Sequence, residues 1–471
     1  MRINVKSEVP NVESYESQKK YLKEVNIRFL RKQNGEYHYK RIKNMLYGEC
    51  NSVRRFDKDI PIVITEGACE LSVLKANIVI SLKEVKRMFK DVNTISEAHE
   101  KYTNAINRLK ILTNDRFNLY RYKNINNFIR DTFYKSIQDL GIQNKLEGVR
   151  EYELQPLNDA SKGALMKATK GKYSIGYQYD MKSSYPYSMT RHEFKLPITC
   201  GTYRTLKQEY FETNIKNNDT RARGTSCASD LRVGLYNCKA IGDSPYFLKG
   251  KSNWFTHDDL INGYKQGIHF ELVSSINNAI VWLDKECMRG DELFMKYVMY
   301  FYKLKNETKC PLIKRLLSGL WGALSQKRVR TQTIQITNNH TEIKCDNPID
   351  SIVLSDENSI DLTKYKKSLF YSSFARIKPF LLAYQRRIMY EEVIQPLLNT
   401  HSIIKIMNDS IIVDKRVLEW DACTPGIGVA NKDLEITTFD SNKTLGKMVF
   451  EKEYHDFEIC NLRKILSDCT V

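Results

Sequence analysis

The chain has 471 residues, 42% of them hydrophobic, and 74 Lys and Arg against 56 Asp and Glu give a net charge of +18. That length supports about two or three buried cores, and no apolar run approaches the span of a bilayer. Eleven cysteines are scattered from Cys50 to Cys469, with no Cys-x-x-Cys pair and no histidine at zinc-ligand spacing. This excludes a disulfide framework and gives the expectation of reduced thiols in an intracellular protein. The first residues, Met1 to Glu8, carry no apolar signal-peptide core. The basic excess calls for a polyanionic partner, and 28 tyrosines interleaved with Lys and Arg suit base stacking beside phosphate contacts. An AT-rich coding sequence would raise Lys, Asn and Ile as well.

Residues 1–160 read as a separate region. Helical spacing is expected over Tyr15–Arg31 and Ser96–Leu112, and short apolar runs at Ile60–Thr65 and Ala76–Ser81 predict buried strands. The strands lead to Thr65, Glu66 and Ser81, which do not make a set of acids able to hold two metal ions. Tyr173–Tyr179 is rich in aromatic residues and predicts a strand that delivers Asp180 at its end. Pro186 is expected to fix a turn after it, holding Tyr185 at a set distance. Tyr210–Arg223, polar and charged, reads as a surface loop, and Leu235–Phe270 as strands and a short helix.

Lys314, Ser318, Trp321 and Gly322 fall at i, i+4, i+7 and i+8, one face of a helix. That face offers a cation, an aromatic plane and a glycine that permits close approach; an ordinary amphipathic helix with a basic edge has the same spacing. Gln332–Leu354 alternates as a hairpin, with Asn338 to His340 at its turn. Ile403–Val413 places two apolar arms around Asn408-Asp409, the pattern of a hairpin that presents its turn residues. Alone, Asp180 is an ordinary turn residue and Asn408-Asp409 an ordinary turn. Together, two acids on neighbouring strands can share Mg²⁺ for phosphoryl transfer.

The order Asp180-x-x-Ser183-x-Tyr185-Pro186, then Lys314-x-x-x-Ser318-x-x-Trp321-Gly322, then Asn408-Asp409-Ser410 resembles motifs A, B and C of family B DNA polymerases. It is most similar to the compact, protein-primed branch of phages, viruses and linear plasmids. The likeness runs from about Lys162 to Glu435 and takes in Trp254 to Ile261 and Ser372 to Arg376. The resemblance implies an α+β fold: a right-hand polymerase with an antiparallel-sheet palm, helical fingers, a reduced thumb and the separate N-terminal region.

Its expected layout is an N-terminal region over 1–160, either a degenerate exonuclease or an accessory module, and a first palm part with motif A over 161–290. Fingers with motif B over 291–330 and a β-hairpin insertion over 331–365 would follow. A second palm part with motif C over 366–445 and a tail or reduced thumb over 446–471 would close the chain.

The resemblance also implies roles. Asp180 and Asp409 would be the catalytic, metal-binding carboxylates, with the carbonyl of Met181 completing a metal's shell. Tyr185 would exclude the ribose 2′-hydroxyl. Lys314 would bind the incoming triphosphate, with Lys303, Lys305 or Lys309 as a second phosphate contact. Ser318, Trp321 and Gly322 would pack against the new base pair. The cofactor would be Mg²⁺, or Mn²⁺ in its place. The partners would be primer-template DNA, deoxynucleoside triphosphates and a priming terminal protein or accessory subunit, with no membrane. Location would be the cytoplasm or a viral or plasmid replication site.

The chain departs from the pattern at Met407, where the family carries an acid, at Asn408, Ser318 and Trp321, and in lacking a clear Lys-x-Tyr after motif C, where Lys432 is the nearest candidate. The alternative is a weakened polymerase fold kept as a nucleic-acid-binding replication accessory, or a more distant nucleotidyltransferase.

Overall fold

A computed structural model describes residues 27–33, 36–41, 47–50, 62–65, 78–89, 91–122, 124–220, 231–328, 330–335, 349–356, 359–364, 369–421 and 445–459. Contacts divide the chain into two units, the first 1–136, 301–323 and 329–367, the second 137–300, 324–328 and 368–471. Residues 137–160, expected with the N-terminal region, thus belong to the second unit.

The first unit opens with strands β1 (Ile27–Gln33), β2 (Glu36–Arg41), β3 (Tyr47–Cys50), β4 (Ile62–Thr65) and β5 (Ile78–Ser81), in one sheet of order β3-β2-β1-β4-β5. β4 pairs in parallel with both β1 and β5, and β2 is antiparallel to β1 and β3. Ile27–Arg31 is therefore strand and not the end of a helix. Its pairing with β2 and β4 overrides the local helical spacing, as tertiary contacts commonly do; the rest of that expected helix lies outside the described residues. Helices α1 (Leu82–Met88), α2 (Ile95–Leu112) and α3 (Ile125–Ser136) follow. α2 starts at a capping box in which Thr94 Oγ1 accepts from the Glu97 N–H and a Glu97 oxygen accepts from the Thr94 N–H.

The second unit begins with α4 (Glu151–Ala160), β6 (Met166–Ala168), the long β7 (Gly171–Met181) and the short α5 (Ser184–Met189). Then come β8 (Lys195–Pro197), β9 (Thr202–Arg204), α6 (Gln208–Thr220), β10 (Gly234–Ile241), β11 (Trp254–Thr256), α7 (His257–Lys265), β12 (His269–Leu272) and β13 (Ala279–Val281). β9, β10, β11 and β13 form an antiparallel sheet, with β12 on β10. Its core is aromatic, built on Phe211, Tyr236, Phe247, Phe255 and Phe270. The expected loop over Tyr210–Arg223 is helix as far as Thr220, because Phe211, Asn214 and Ile215 form a buried i, i+3, i+4 stripe.

After β14 (Cys287–Arg289), α8 (Gly290–Thr308) leads into the first unit and its helices α9 (Pro311–Ser318) and α10 (Leu320–Leu324). The single helix expected for Lys314 to Gly322 is thus two, parted at Gly319. β15 (Arg330–Gln335), β16 (Ile349–Asp356) and β17 (Ser359–Lys364) form an antiparallel sheet of order β15-β17-β16. β15 pairs with β17, Gln332 opposite Leu362, so its partner lies later in the chain than the expected hairpin arm. The turn expected at Asn338 lies outside the described residues, as does Lys432.

The chain returns to the second unit with α11 (Ile377–Ile388), a π-helical turn (Met389–Ile394) and the short α12 (Gln395–Leu397). β18 (Ile403–Met407) and β19 (Ser410–Val413) then lead through α13 (Leu418–Asp421) to β20 (Met448–Ile459). A second sheet of order β20-β7-β19-β18-β6 results. β20, in the stretch expected as tail or reduced thumb, is its edge strand. It pairs along nearly all of β7, and Phe457 stacks on Tyr173 at 5.4 Å.

Lys162, between α4 and β6, is 6% exposed, with Nζ 3.5 Å over the Phe255 ring and donating to the Trp254 carbonyl. Gly250, at φ +71°, leaves room for its stem: a Cβ there would stand 2.9 Å from Lys162 Cε. Burial pulls its pKa down to about 8, against the opposing pull of Asp259. The folded state therefore penalises the charged form, and the penalty is full below about pH 8. It fades as pH rises from about 8 toward 10.5, the ordinary lysine value. Urea titrations of wild type and Lys162→Met from pH 7 to pH 10 should show wild type gaining on the variant across that window. A constant difference would mean that Lys162 keeps an ordinary pKa.

Candidate active site

β7 carries the first acid, Asp180, at its next-to-last position, half-buried between the buried Tyr179 and Met181. Asp180 pairs with Ser410 on β19, and the Met181 N–H donates to the Asp409 carbonyl at 2.9 Å. Met407 pairs with Ser410, so Asn408 and Asp409 form a two-residue hairpin loop, with Asn408 at φ +59°. Asn tolerates that left-handed conformation where a β-branched residue would not. Asp409 is thereby one residue from the direct partner of Asp180.

On the other side of β7, Val449 of β20 pairs with Asp180 and Met448 with Met181. The Lys182 N–H donates to the Lys447 carbonyl at 2.9 Å, and the Gly446 N–H to the Lys182 carbonyl at 2.8 Å. The chain leaves β7 through Ser183, at φ +53°, and enters α5 directly. Pro186 is thus inside the first turn of a helix, where its missing N–H costs nothing, and not a turn beyond the strand.

Tyr185 lies on α5 with its hydroxyl donating to Asn408 Oδ1 at 3.0 Å, and Asn408 Nδ2 donates to Asp409 Oδ1 at 3.1 Å. Burial, aided by the Asp409 carboxylate, pushes the Tyr185 phenol up to about 12, so it stays protonated and a donor. α5 is anchored from α11 and the π-helical turn. Gln385 Nε2 donates to Ser184 Oγ at 3.2 Å, Tyr187 donates to Glu392 at 3.1 Å, and Arg191 donates to Tyr187 Oη at 2.9 Å and to Glu392 at 3.2 Å. None of these supports stands out in the sequence; the π-helical turn that aims Glu392 has no local signature.

The structure thus brings Asp180, Met181, Tyr185 and Asp409 together on one sheet end of the second unit. Lys303, Lys305, Lys314, Ser318, Trp321 and Gly322 belong to the first unit. There Lys314, Ser318 and Gly322 are exposed, and Trp321 is half-buried. Ser318 Oγ donates to the Lys314 carbonyl at 3.0 Å. Lys303 is 3.9 Å from Glu307, and Lys305 Nζ lies 5.3 Å from the Tyr302 ring centroid. Lys309 is exposed at φ +51°.

No group of three or more His, Cys, Asp or Glu side chains able to hold a metal ion occurs among the described residues. Two carboxylates with neighbouring carbonyls fit a hard divalent cation that takes its remaining ligands from water and phosphate, the ordinary mode for Mg²⁺. They do not fit a closed structural site. No helix among the described residues is long and apolar enough to cross a membrane.

The antiparallel sheet that sets Asp180 of a central strand one residue from Asp409 of the neighbouring hairpin, with helices in the same unit, belongs to an α+β polymerase fold. Residues 159–397, just over half the chain, match the family of DNA polymerase type B, organellar and viral, and the chain belongs to that family. A probable DNA polymerase of Agaricus bitorquis is 28% identical over 158 residues, 32% of this chain and 18% of that protein, so the match spans under a fifth of that relative. The fold is similar to that of Phi29 DNA polymerase complexed with primer-template DNA, at a TM-score of 0.51 and 11% identity, over 91% of this chain and 84% of that one. The same polymerase with primer-template DNA and incoming nucleotides gives 0.50 and 11%, over 89% and 82%.

Proposed function

We propose that this chain is a template-directed DNA polymerase that adds deoxynucleotides to a primer 3′ end. The observation that carries the reading is the register Asp180–Ser410, which leaves Asp180 one residue from Asp409 across the paired strands in a chain of this family. In the reaction the primer 3′-hydroxyl gives up its proton to water, its oxygen bonds to the α-phosphorus of the incoming nucleotide, and the bond from that phosphorus to the bridging oxygen breaks, releasing pyrophosphate. Asp180 and Asp409 would hold a Mg²⁺ or Mn²⁺ ion, with the Met181 carbonyl as a further ligand, and such an ion when bound would supply charge neutralisation for phosphoryl transfer.

Tyr185, in this reading, lies against the deoxyribose and excludes a 2′-hydroxyl by collision. Lys314 neutralises the triphosphate, with Lys303, Lys305 or Lys309 beside it, and Ser318, Trp321 and Gly322 face the new base pair. Residues 161–290 and 366–445 act as palm, 291–330 as fingers and 331–365 as an insertion. β20 extends the palm sheet. A terminal protein or accessory subunit supplies the primer or further grip on DNA.

We further propose that the chain does not proofread. Ligands of a sheet with parallel strands gather at their carboxyl ends, and the residues within and directly after β1, β4 and β5 supply a single acid, Glu66, where a two-metal nuclease site needs several. Primer extension on a defined template with Mg²⁺ or Mn²⁺ tests both statements. Extension should follow template order, and without nucleotides the 3′ end should stay intact. Absence of extension with either metal removes the polymerase reading. Degradation that persists in Asp180→Asn would reveal a nuclease site.

A further inference from the structure

Asn408 stands where the resembling family usually carries Thr, and its side chain lies between two groups of the proposed site. Its Oδ1 accepts from the Tyr185 hydroxyl at 3.0 Å and its Nδ2 donates to Asp409 Oδ1 at 3.1 Å. An amide is suited to this because it offers an acceptor and a donor fixed in one plane. The opposite amide orientation would set Oδ1 against the Asp409 carboxylate, so the observed one is electrostatically required. The residue is also fixed without its side chain: its N–H donates to the Leu165 carbonyl at 2.9 Å, and its φ of +59° suits the hairpin turn. The two cross-links are therefore additional to what the turn demands.

We propose that Asn408 is a positioning residue that couples Tyr185 to Asp409, so that one side chain sets both sugar selection and the placement of the motif C carboxylate. This rests on the polymerase reading above. With the phenol tied to Asn408, the Tyr185 ring cannot swing away from a ribose 2′-hydroxyl. With Nδ2 on one carboxylate oxygen, the amide holds the Asp409 rotamer, and Asp409 would serve as a cation ligand from that fixed position. A nucleotide with the wrong sugar that pushes the ring aside strains the carboxylate through the same amide. Discrimination then operates through positioning as well as collision.

The experiment compares wild type, Asn408→Gly, Tyr185→Phe and the double variant, full-length, on primer-template DNA. Glycine suits the turn and keeps the N–H, and Phe keeps the ring without the hydroxyl. Two readouts are taken: the ratio of ATP to dATP incorporation, and the binding of each nucleotide to a complex on a dideoxy-terminated primer, where no chemistry occurs. Each single variant should raise the ribonucleotide share roughly tenfold, the scale of one hydrogen bond within a charged network. The double variant should do no worse than either single one, because both cut the same link.

Wild-type ratios in Asn408→Gly, or effects that multiply in the double variant, overturn the coupling. If Asn408→Gly fails to fold, Tyr185→Phe alone decides: an unchanged ratio overturns the proposal and a raised ratio sustains it. A wild-type chain that neither extends primers nor binds dATP removes the polymerase reading and this inference together. A wild-type chain that extends while the variants keep its ratio removes this inference alone.

Discussion

Asp180→Asn and Asp409→Asn should each lower primer extension at least about a thousandfold, about 4 kcal/mol of transition-state stabilisation. The substitution keeps volume and shape, removes the charge and turns one acceptor oxygen into an amide donor. Both positions hold their backbone by strand pairing and by the Met181 N–H bond to the Asp409 carbonyl, neither of which involves the carboxylates. Melting temperature and DNA affinity should therefore stay near wild type while extension fails. No third acid stands ready among the described residues to replace either one: Met407, two residues before Asp409, is not ionisable, and no group of three or more potential metal ligands occurs there. The double variant should be no slower than the single ones, because two ligands of one centre act as a unit. Extension at a wild-type rate by either single variant would sink the assignment of the pair.

The parts of the fold legible in the sequence are those whose signal is local. The run from Tyr173 to Tyr179 announces β7, the apolar arms around Asn408-Asp409 announce the β18–β19 hairpin, and the acids at the ends of both follow from that reading. α6 was hidden because, among the described residues, its buried stripe is Phe211, Asn214 and Ile215 among Glu, Asn, Lys and Thr, so composition outweighs periodicity. β20 was hidden for a related reason. Its outward positions carry Glu451, Lys452, Asp456 and Glu458, and the strand exists because β7, far earlier in the chain, offers an edge.

Non-local support of the candidate site is equally invisible from sequence. Gln385 and Glu392 reach Ser184 and Tyr187 across about two hundred residues of chain, a pairing that no spacing rule encodes. Asn408 was visible only as a departure from the family pattern, and only the geometry gives that departure a physical use.

The largest stability effect is expected at Arg376, which opens α11 and is fully buried with Glu153 of α4. The pair is bidentate: Arg376 Nε donates to Glu153 Oε1 at 2.9 Å and Nη2 to Oε2 at 2.6 Å. The remaining guanidinium donors reach the carbonyls of Glu147 at 2.8 Å and Gly148 at 3.0 Å. Glu153 in turn accepts from the N–H groups of Gly201 at 3.1 Å and Arg150 at 2.8 Å. All four carboxylate lone pairs and four of the five guanidinium protons thus have a partner, close to the condition under which two charges can be buried at tolerable cost.

Arg376→Met fills similar volume but leaves the Glu153 carboxylate buried without its cation, and it orphans two carbonyls. The expected loss is about 3–5 kcal/mol, read as a lower urea midpoint of unfolding. Arg376→Met combined with Glu153→Gln removes both charges and should recover part of that loss, because the lone buried charge causes most of it. The exposed Lys135–Asp131 pair, 2.8 Å apart, is the control: Lys135→Met should cost no more than about 1 kcal/mol. An Arg376→Met protein as stable as wild type would mean that Glu153 is neutral or solvated, and a double variant worse than the single would assign the loss to packing instead of charge.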